Sequence, residues 1–428
     1  MRGWTAERVA AAAGARVVTA GARDGGPVRA VIDSRHAGHG DLFVGLPGER
    51  VDGGRFGADV LAAGAWGALV GEAHAGIDTA GGTLLVAADP LLALQRLATA
   101  WRRELGAKVV GITGSTGKTS TKDLLAAMVS QQRRTVATPL NLNTEIGLPL
   151  TILGAPADTE VLVLEMAMRG AGQIAELARI AEPDVGVIVN VGPVHLELLG
   201  SIEAIAATKA ELIAGLPAGG TAIVPAGEPL LHPHRREDVG TITFGPGGDV
   251  AELPEGLELP FTSAHMRSNA LAALAAARAI GVEPAGRVEV ALSELRGQRV
   301  EVPGGIVVID DCYNANPMSM RAALDDLATS APGRRVAVLG DMLELGPDER
   351  RFHEEVGAHA RAAGVDLLLT VGPLAEAMGP EFGGDVHHVA AAGDVVPALR
   401  PLLRTGDTVL VKGSRGVGLE VVAQGLAA

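Results

Sequence analysis

Residues 111–121 read GITGSTGKTST, and this stretch decides the fold of the chain. It completes an apolar segment with the composition of a buried strand, and it runs into a segment with the apolar spacing of a helix. A glycine-rich turn in that position directs its backbone N–H groups towards an anion, and the Lys and Thr that follow reach the terminal phosphates and a Mg²⁺ ion. The alternative is a chance glycine-rich turn, which the position of Gly117, Lys118 and Thr119 at the helix start argues against. The common spacing would put a first Gly at Ile112, so this is the shorter phosphate loop T-G-x-x-G-K-T.

Strands and helices alternate on the C-terminal side of this loop. The apolar strands at 161–166 (VLVLEM) and 185–190 (VGVIVN) are separated by the amphipathic segment 172–181 (GQIAELARIA). Continuous apolar strands between amphipathic helices are typical of a parallel sheet with helices on both faces. From Gln298 onwards the alternation begins again, with IVVID at 306–310 as an apolar strand, and it predicts a second, smaller doubly wound sheet.

The segment on the N-terminal side of the loop has a different pattern. Short strands and turns fill it as far as Asp89, and a segment with helical spacing at 91–105 then leads to the loop. Residues 244–260 are rich in proline and glycine and predict a surface excursion. We therefore predict an α/β protein of three domains: a small N-terminal α/β domain at 1–88, a central P-loop parallel-sheet domain at 89–297 and a C-terminal Rossmann-like domain at 298–428.

Composition and charge exclude several classes of function. The formal net charge is −14, and such an excess of carboxylates repels phosphate backbones, so we expect no nucleic acid as a partner. Cys312 is the only cysteine, which excludes an intramolecular disulfide and fits a reducing compartment. The segment MRGWTAERVAAAAGARVV at the start is typical of an amphipathic helix rather than a signal peptide. No stretch approaches the roughly 20 uncharged apolar residues of a membrane span, so we expect a cytoplasmic protein.

Three chemically active side chains come after the loop. Glu165 ends one apolar strand and His195 follows the next, so both lie at the sheet edge where open α/β folds bind ligands. A carboxylate beside a nucleotide would be a Mg²⁺ ligand. A solvated Glu and a hydrogen-bonded structural His are the alternatives. Lys209 lies in a helical segment, and its spacing alone predicts a surface residue of an amphipathic helix.

Three polar segments complete the candidate site. The turn DDCYNANP at 310–317 follows an apolar strand and predicts a ligand-facing turn, with Asn316 as the N-cap of the next helix. The loop NLNTEIGLP at 141–149 says little by itself. At the start of an Ala-rich helix, Asn269 would either bind a base edge or pack, and the residues alone leave both roles open.

These motifs, in this order, resemble the Mur ligase family over nearly the whole chain. The similarity also includes five further segments: 33–56 (DSRHAGHGDLFVGLPGERVDGGRF), 163–174 (VLEMAMRGAGQI), 190–201 (NVGPVHLELLGS), 336–346 (VAVLGDMLELG) and 409–420 (VLVKGSRGVGLE). The YNANP string at 313–317 is most similar to members that add a dipeptide rather than one amino acid. The resemblance implies an ATP-dependent ligase that joins D-alanyl-D-alanine to a UDP-muramoyl-tripeptide through an acyl phosphate, in peptidoglycan precursor synthesis. It further implies a monomer whose domains close on ATP.

The resemblance also implies roles for individual residues. The N-terminal domain would bind the uridine nucleotide of the substrate. The residues facing ATP would be Gly114, Ser115, Thr116, Gly117, Lys118, Thr119, Ser120, His265, Asn269, Asp310 and Asn314. The ligands of two Mg²⁺ ions would be Thr119, Glu165, His195 and Lys209, with Lys209 carbamylated. Catalysis would rest on Lys118, Lys209 and His195, and the substrate would contact Ser34, Arg35, Asn141, Asn143 and Thr144.

Several positions depart from the family's pattern. The residues His, Asn, Gly and Ser that are usual in the family are replaced here, in that order, by Gly54, Thr144, Ala167 and Cys312. VPAGEP at 224–229 also replaces a more polar stretch. The nucleotide and metal motifs are better kept than the substrate-side motifs, so the main alternative is a related ligase for another carboxylate and amine. A kinase or regulatory NTPase would use the same phosphate loop, and so would a nucleotide-binding module without catalysis.

Overall fold

Three large β-sheets with helices packed on them follow one another along the described residues, and a small two-stranded sheet pairs Leu257–Glu258 with Gly286–Arg287. The computed structural model describes residues 1–23, 25–261, 263–291, 293 and 295–427. The predicted α/β fold with parallel sheets is confirmed. None of the described helices has the length and apolar character that crossing a membrane requires.

The first sheet belongs to the N-terminal region. Its elements are α1 (Ala6–Ala13), β1 (Arg16–Thr19), β2 (Ala30–Val31), β3 (Leu42–Val44), α2 (Gly57–Ala62), β4 (Gly67–Gly71) and β5 (Thr83–Ala87). The strand order is β1-β5-β4-β3-β2, and only β1 runs antiparallel to its neighbour. Helix α1 is shorter than the predicted amphipathic segment, because the Thr5 side chain caps its start and Gly14 ends it in the left-handed conformation.

The second sheet carries the phosphate loop. It is preceded by α3 (Pro90–Leu105), and the elements of this region are β6 (Lys108–Thr113), α4 (Lys118–Ser130), β7 (Thr135–Ala137), α5 (Gly147–Gly154), β8 (Val161–Glu165), α6 (Gln173–Ala181), β9 (Val185–Ile188), α7 (Leu196–Leu199), α8 (Ile202–Ala214), β10 (Thr221–Pro225), β11 (Gly240–Phe244), β12 (Leu257–Glu258), α9 (Ala264–Ala279) and β13 (Gly286–Arg287). Strands β12 and β13 pair only with each other, outside the large sheet. All six strands of the order β11-β10-β9-β6-β8-β7 are parallel. The loop therefore leaves the sheet between the strands that precede His195 and carry Glu165, as the strand-end pattern predicted.

Strand β6 is packed from both sides, which fixes the point where the loop begins. Val109 belongs to the apolar cluster formed with α3, α6 and α8, whereas Val110 and Ile112 belong to the cluster formed with α4 and α9. Neighbouring residues of a strand point to opposite faces, so one short apolar strand contributes to both clusters. All three side chains are fully buried.

The third sheet lies in the C-terminal region. Its elements are β14 (Gln298–Val302), β15 (Ile306–Asp310), α10 (Pro317–Ser330), β16 (Arg335–Gly340), α11 (Glu349–Ala362), β17 (Leu367–Val371), α12 (Met378–Phe382), β18 (Asp385–Val389), α13 (Val395–Leu399), β19 (Thr408–Lys412) and α14 (Glu420–Ala427). The order is β14-β15-β19-β16-β17-β18, with only β14 antiparallel. Asn316 caps α10 as predicted, in a reciprocal capping box with Ser319.

One expectation about the sheets was wrong. The third sheet was expected to be smaller, but it has six strands, as many as the central one. Its edge strands β14 and β18 are half exposed and polar, so they lack the apolar run that marked the inner strands. Most residues of the surface excursion expected at 244–260 are exposed or half-buried, as predicted, and the buried Phe244, Val250 and Leu257 anchor it to the cluster of α4 and α9.

Candidate active site

A cleft of about 1030 Å³ separates the carboxyl edge of the central sheet from the C-terminal region. Both regions line it. The predicted site residues among its lining are Ser115, Thr116, Gly117, Lys118, Thr119, Ser120, Asn141, Asn143, Thr144, Glu165, His195, His265, Asn269 and Asn314. Five predicted residues do not line it: Ser34, Arg35, Gly114, Lys209 and Asp310.

The phosphate loop is shaped by glycine and by the neighbouring strand. Gly117 is the N-cap of α4 with φ +74°, a left-handed conformation that L residues rarely adopt. The amide N–H of Thr116 donates to the side-chain oxygen of Asn190 over 2.9 Å, and the Ser115 hydroxyl donates to the Gly192 carbonyl over 2.9 Å. The end of β9 therefore holds the loop in place. Asn190 was not predicted, and its only sequence signal is its position at a strand end.

Lys118 lies within the curve of this loop. Its ammonium group donates to the Gly114 carbonyl over 2.7 Å. Burial lowers the pKa of Lys118, while the nearby Glu165 carboxylate acts in the opposite direction. The Lys118 ammonium group lies at the N-terminus of α4. A helix N-terminus also favours an anion, so both features suit a phosphate.

The Glu165 carboxylate is held on one side only. The side-chain amide of Asn143 donates to its Oε1 atom over 2.9 Å, and the backbone N–H of Glu165 donates to the Thr138 hydroxyl. The side chain is buried, and its Oε2 atom has no hydrogen-bond partner among the described residues. A buried carboxylate oxygen without a partner is costly unless a ligand completes its environment.

His195 connects the central and C-terminal regions. It has a left-handed backbone, with φ +54°, and caps the short helix α7. Its Nδ1 atom lies 2.5 Å from Oε2 of Glu344, which follows β16. Burial lowers the pKa of His195, although Glu344 acts to raise it, and the charges of Lys118 and Lys209 lower it further.

Lys209 is buried, contrary to the prediction from its helical spacing. Only 1% of the residue is exposed, and it lies behind the lining of the cleft in α8. Burial lowers the pKa of its ammonium group well below the usual value, and the charge of Lys118 lowers it further. The neutral amine, which is a nucleophile, therefore forms more readily here than on an exposed lysine.

The C-terminal face of the cleft differs from the prediction at one residue. Asp310 was expected at ATP, but its carboxylate accepts hydrogen bonds from the backbone and the thiol of Cys312. Burial raises the pKa of Asp310. Asp311 lines the cleft instead, and its carboxylate accepts a hydrogen bond of 2.6 Å from the buried ammonium group of Lys412.

Arg296 and Lys412 also line the cleft, and neither was predicted. The guanidinium of Arg296 lies over the ring of Tyr313, 4.1 Å from its centroid, and both line the cleft. Arg296 lies in no recognisable pattern, whereas Lys412 ends a strand at the edge that carries Asp311 and offered a strand-end signal.

Ser34 and Arg35 are not brought to this cleft. They form a short 3₁₀ turn of the N-terminal region, where Asp33 caps the turn and pairs with the exposed guanidinium of Arg35 over 2.6 Å. This pairing holds the pKa of Asp33 well below its usual range. Their contact with substrate stays a prediction.

The chain is similar to known proteins over most of its length. Residues 112–277 match the model of the Mur ligase middle domain, and residues 295–415 match that of the Mur ligase glutamate ligase domain. The UDP-N-acetylmuramoyl-tripeptide–D-alanyl-D-alanine ligase of Synechocystis sp. is 39% identical over 92% of this chain and 91% of its own.

Solved structures agree with this similarity. The crystal structure of MurF from Acinetobacter baumannii superposes with a TM-score of 0.88 at 31% identity, over 99% of this chain and 98% of the other. MurF ligase from Thermotoga maritima in complex with ADP gives a TM-score of 0.81 at 31% identity, over 93% and 97% of the two chains.

Proposed function

The chain belongs to the Mur ligase family, and we propose that it uses ATP to join D-alanyl-D-alanine to UDP-N-acetylmuramoyl-tripeptide in peptidoglycan precursor synthesis. Relatives that carry this activity in their names match over more than nine tenths of both chains. The observation that carries the proposal is the single cleft in which the phosphate loop faces the turn with Asn314 from the C-terminal region. A kinase would not require that turn.

ATP would lie across the loop with its triphosphate at the start of α4. Lys118 would balance the charge of the terminal phosphates, and the backbone N–H groups of residues 117–120 would contact them. His265 and Asn269 of α9 and Asn314 of the opposite face line the same cleft, so we assign the adenosine end to them. The cleft wall at Asp311, rather than Asp310, would complete this end.

The side chains beside the loop fit a Mg²⁺ ion. The unpartnered Oε2 of Glu165 and the buried hydroxyl of Thr119 are hard oxygen donors, which Mg²⁺ prefers. No group of three His, Cys, Asp or Glu among the described residues could hold a metal by itself. This suits Mg²⁺, which takes one or two carboxylates and completes its shell with phosphates and water. When bound, the ion would neutralise charge on the transferred phosphoryl group.

We assign a second Mg²⁺ to His195 and Lys209. As a carbamate, Lys209 would present a carboxylate on a long arm, and the lowered pKa of its amine favours reaction with CO₂. The carbamate would also replace a repulsion between two cations, Lys209 and Lys118, by an attraction.

The reaction would proceed in two steps. An oxygen of the tripeptide's terminal carboxylate attacks the γ-phosphorus of ATP, the bond to the β-phosphate oxygen breaks, and ADP leaves. The dipeptide amine then attacks the carbonyl carbon of the acyl phosphate. The tetrahedral oxyanion collapses, the bond to the phosphate oxygen breaks, inorganic phosphate leaves and the nitrogen loses a proton. Lys118 would hold the phosphoryl oxygens throughout, and water must be excluded because an acyl phosphate hydrolyses.

The remaining assignments are proposals on the same basis. Asn141, Asn143 and Thr144 line the cleft on the side of Glu165, so they would contact the reacting end of the muramoyl peptide. Ser34 and Arg35 would contact its uridine diphosphate end, in an N-terminal domain at 1–88, with the central and C-terminal domains at 89–297 and 298–428. We propose a monomer. We also propose a cytoplasmic location, because ATP is the cosubstrate and Cys312 is a free thiol.

A coupled assay tests the proposal. Phosphate release should require UDP-muramoyl-tripeptide, ATP, Mg²⁺ and D-alanyl-D-alanine together, and the product should be the pentapeptide by mass spectrometry. D-alanine alone, folate substrates with glutamate, and a protein hydroxyl acceptor serve as the comparison substrates. Phosphate release without an amine, or a faster reaction with one of those substrates, would contradict the assignment.

A further inference from the structure

The Glu344 carboxylate makes a contact between two regions that are remote in sequence. It lies on the loop after β16, and its Oε2 atom is 2.5 Å from Nδ1 of His195. Its Oε1 atom is 3.9 Å from the guanidinium of Arg169 on the central side. The backbone carbonyl of Glu344 also accepts a hydrogen bond of 3.5 Å from the N–H of Glu197. Glu344 is therefore attached to the central region by its side chain and its backbone.

The loop that carries Glu344 is held in one conformation. Glu344 has φ +63°, a left-handed backbone conformation that is strained for a residue other than glycine. Buried His353 accepts a hydrogen bond of 2.9 Å from the Met342 amide, and Ser414 accepts one of 2.9 Å from the Leu343 amide. A strained conformation persists where the surrounding structure determines it, and such positions cluster at functional sites.

The contact decides which ring nitrogen of His195 keeps an unshared lone pair. An ionised carboxylate only accepts hydrogen bonds, so the proton of the ring must lie on Nδ1. Nε2 is then the unprotonated nitrogen, and His195 lines the cleft. A hydrogen bond from the second ring nitrogen to a carboxylate is the usual way in which a metal-binding histidine is oriented.

We propose that Glu344 is a positioning residue: docking of the C-terminal loop onto His195 fixes the imidazole tautomer and ring orientation that the ligation site uses. The inference rests on the proposed function for the identity of the group bound at Nε2. It also makes the site conditional on the arrangement of two domains, because His195 alone in the central region has no carboxylate from its own region at Nδ1 among the described residues. An open arrangement of the domains would leave the ring free to rotate and exchange tautomers.

Two measurements on the full chain test this role. The first is the nitrogen chemical shifts of the His195 ring in ¹⁵N-histidine-labelled protein, without nucleotide or metal, assigned with a His195→Asn variant. The second is the Mg²⁺ concentration for half-maximal ligation, compared with the KM for ATP. Variants Glu344→Gln and Glu344→Asp are compared with Glu355→Gln, which removes an equal charge from the same domain at a partly exposed position in α11.

Glu344→Gln should convert the ring from one tautomer to a mixture and raise the Mg²⁺ requirement about 10- to 100-fold, with little change in the KM for ATP. Glu344→Asp should keep part of both properties, and Glu355→Gln should match the wild type. An unchanged ring spectrum in a folded Glu344→Gln protein, or an unchanged Mg²⁺ requirement, would overturn the proposal. The ring spectrum decides the positioning role even if the wild type shows no Mg²⁺-dependent ligation, which would refute the proposed function instead.

Discussion

Asn143 donates a hydrogen bond of 2.9 Å to Oε1 of Glu165, while Oε2 of the same buried carboxylate has no partner in the part of the chain that the structure describes. The amide therefore orients the carboxylate and keeps one oxygen available. Asn143 belongs to the loop before α5 and Glu165 ends β8, so two predicted parts of the site, one for substrate and one for metal, are joined by this bond. Movement of the loop that carries Asn143 would be transmitted directly to Glu165, the proposed metal ligand.

Glu165→Gln should remove the charge of the proposed metal ligand while keeping its shape. We expect Mg²⁺-dependent ATP turnover to fall about 100-fold or more, because several kcal/mol of charge stabilisation are lost. The fold should persist, because the glutamine carbonyl still accepts the hydrogen bond from Asn143. Phosphate release against Mg²⁺ concentration measures the first effect, and thermal unfolding measures the second. A variant with the wild-type Mg²⁺ dependence would remove Glu165 from the metal site.

Lys209→Ala should abolish ligation, and short carboxylates such as formate should restore part of it by occupying the space of the carbamate. Lys209→Arg is the matched control, because it keeps a cation but cannot form a carbamate. The lowered pKa of Lys209 predicts that the neutral amine forms at a pH well below that of an exposed lysine. A carbamate signal in ¹³CO₂-labelled wild type that is missing from both variants would support the role. A fully active Lys209→Arg enzyme would contradict it.

Some of the site followed from the sequence because parallel topology is a strong constraint. Glu165 and His195 both follow apolar strands, and those strands, β8 and β9, lie on either side of β6. Their ends therefore had to meet beside the phosphate loop once the alternating pattern was recognised. The reciprocal cap of α10 at Asn316 followed in the same way from local chemistry.

Other features depend on information that a single strand or helix does not contain. Asp310 is the last residue of β15 and Asp311 follows it. Successive side chains of a strand point to opposite faces, so the pleat of the strand decides which of the two carboxylates faces the cleft. Lys209 has the spacing of a surface residue, and only the packing of α8 against the sheet buries it. Glu344 reaches His195 across 149 residues of sequence, through the docking of two regions. Sequence periodicity says nothing about such docking.

Gly117→Ala should damage the phosphate loop for two separable reasons. The residue has φ +74°, and an added Cβ would lie 2.5 Å from the side-chain oxygen of Asn269. Gly219→Ala is the matched control, since Gly219 has φ +80° with open space around the same position. Both variants should lose about 1 kcal/mol of unfolding free energy from backbone strain. Only Gly117→Ala should also lose ATP affinity, as measured by calorimetry, and equal affinities in the two variants would show that Asn269 does not restrict the loop.

His353→Gln should change how stability depends on pH. His353 is fully buried, its Nε2 atom accepts a hydrogen bond from Met342, and burial lowers its pKa below the ordinary value of 6.5. The unfolded chain therefore binds a proton at this residue more readily than the folded one, and stability falls as the pH drops below about 6.5. The variant cannot be protonated there, so the loss of unfolding free energy between pH 7.5 and pH 5.5 should be smaller than in the wild type. At pH 7.5 the variant should itself be less stable than the wild type by about 1 kcal/mol, because the histidine hydrogen bonds are altered.

Urea unfolding at the two pH values measures both effects, with His232→Gln as an exposed control. Equal pH dependence in the His353→Gln variant and the wild type would mean that the proton is taken up elsewhere, and that His353 supports the Glu344 loop by packing alone.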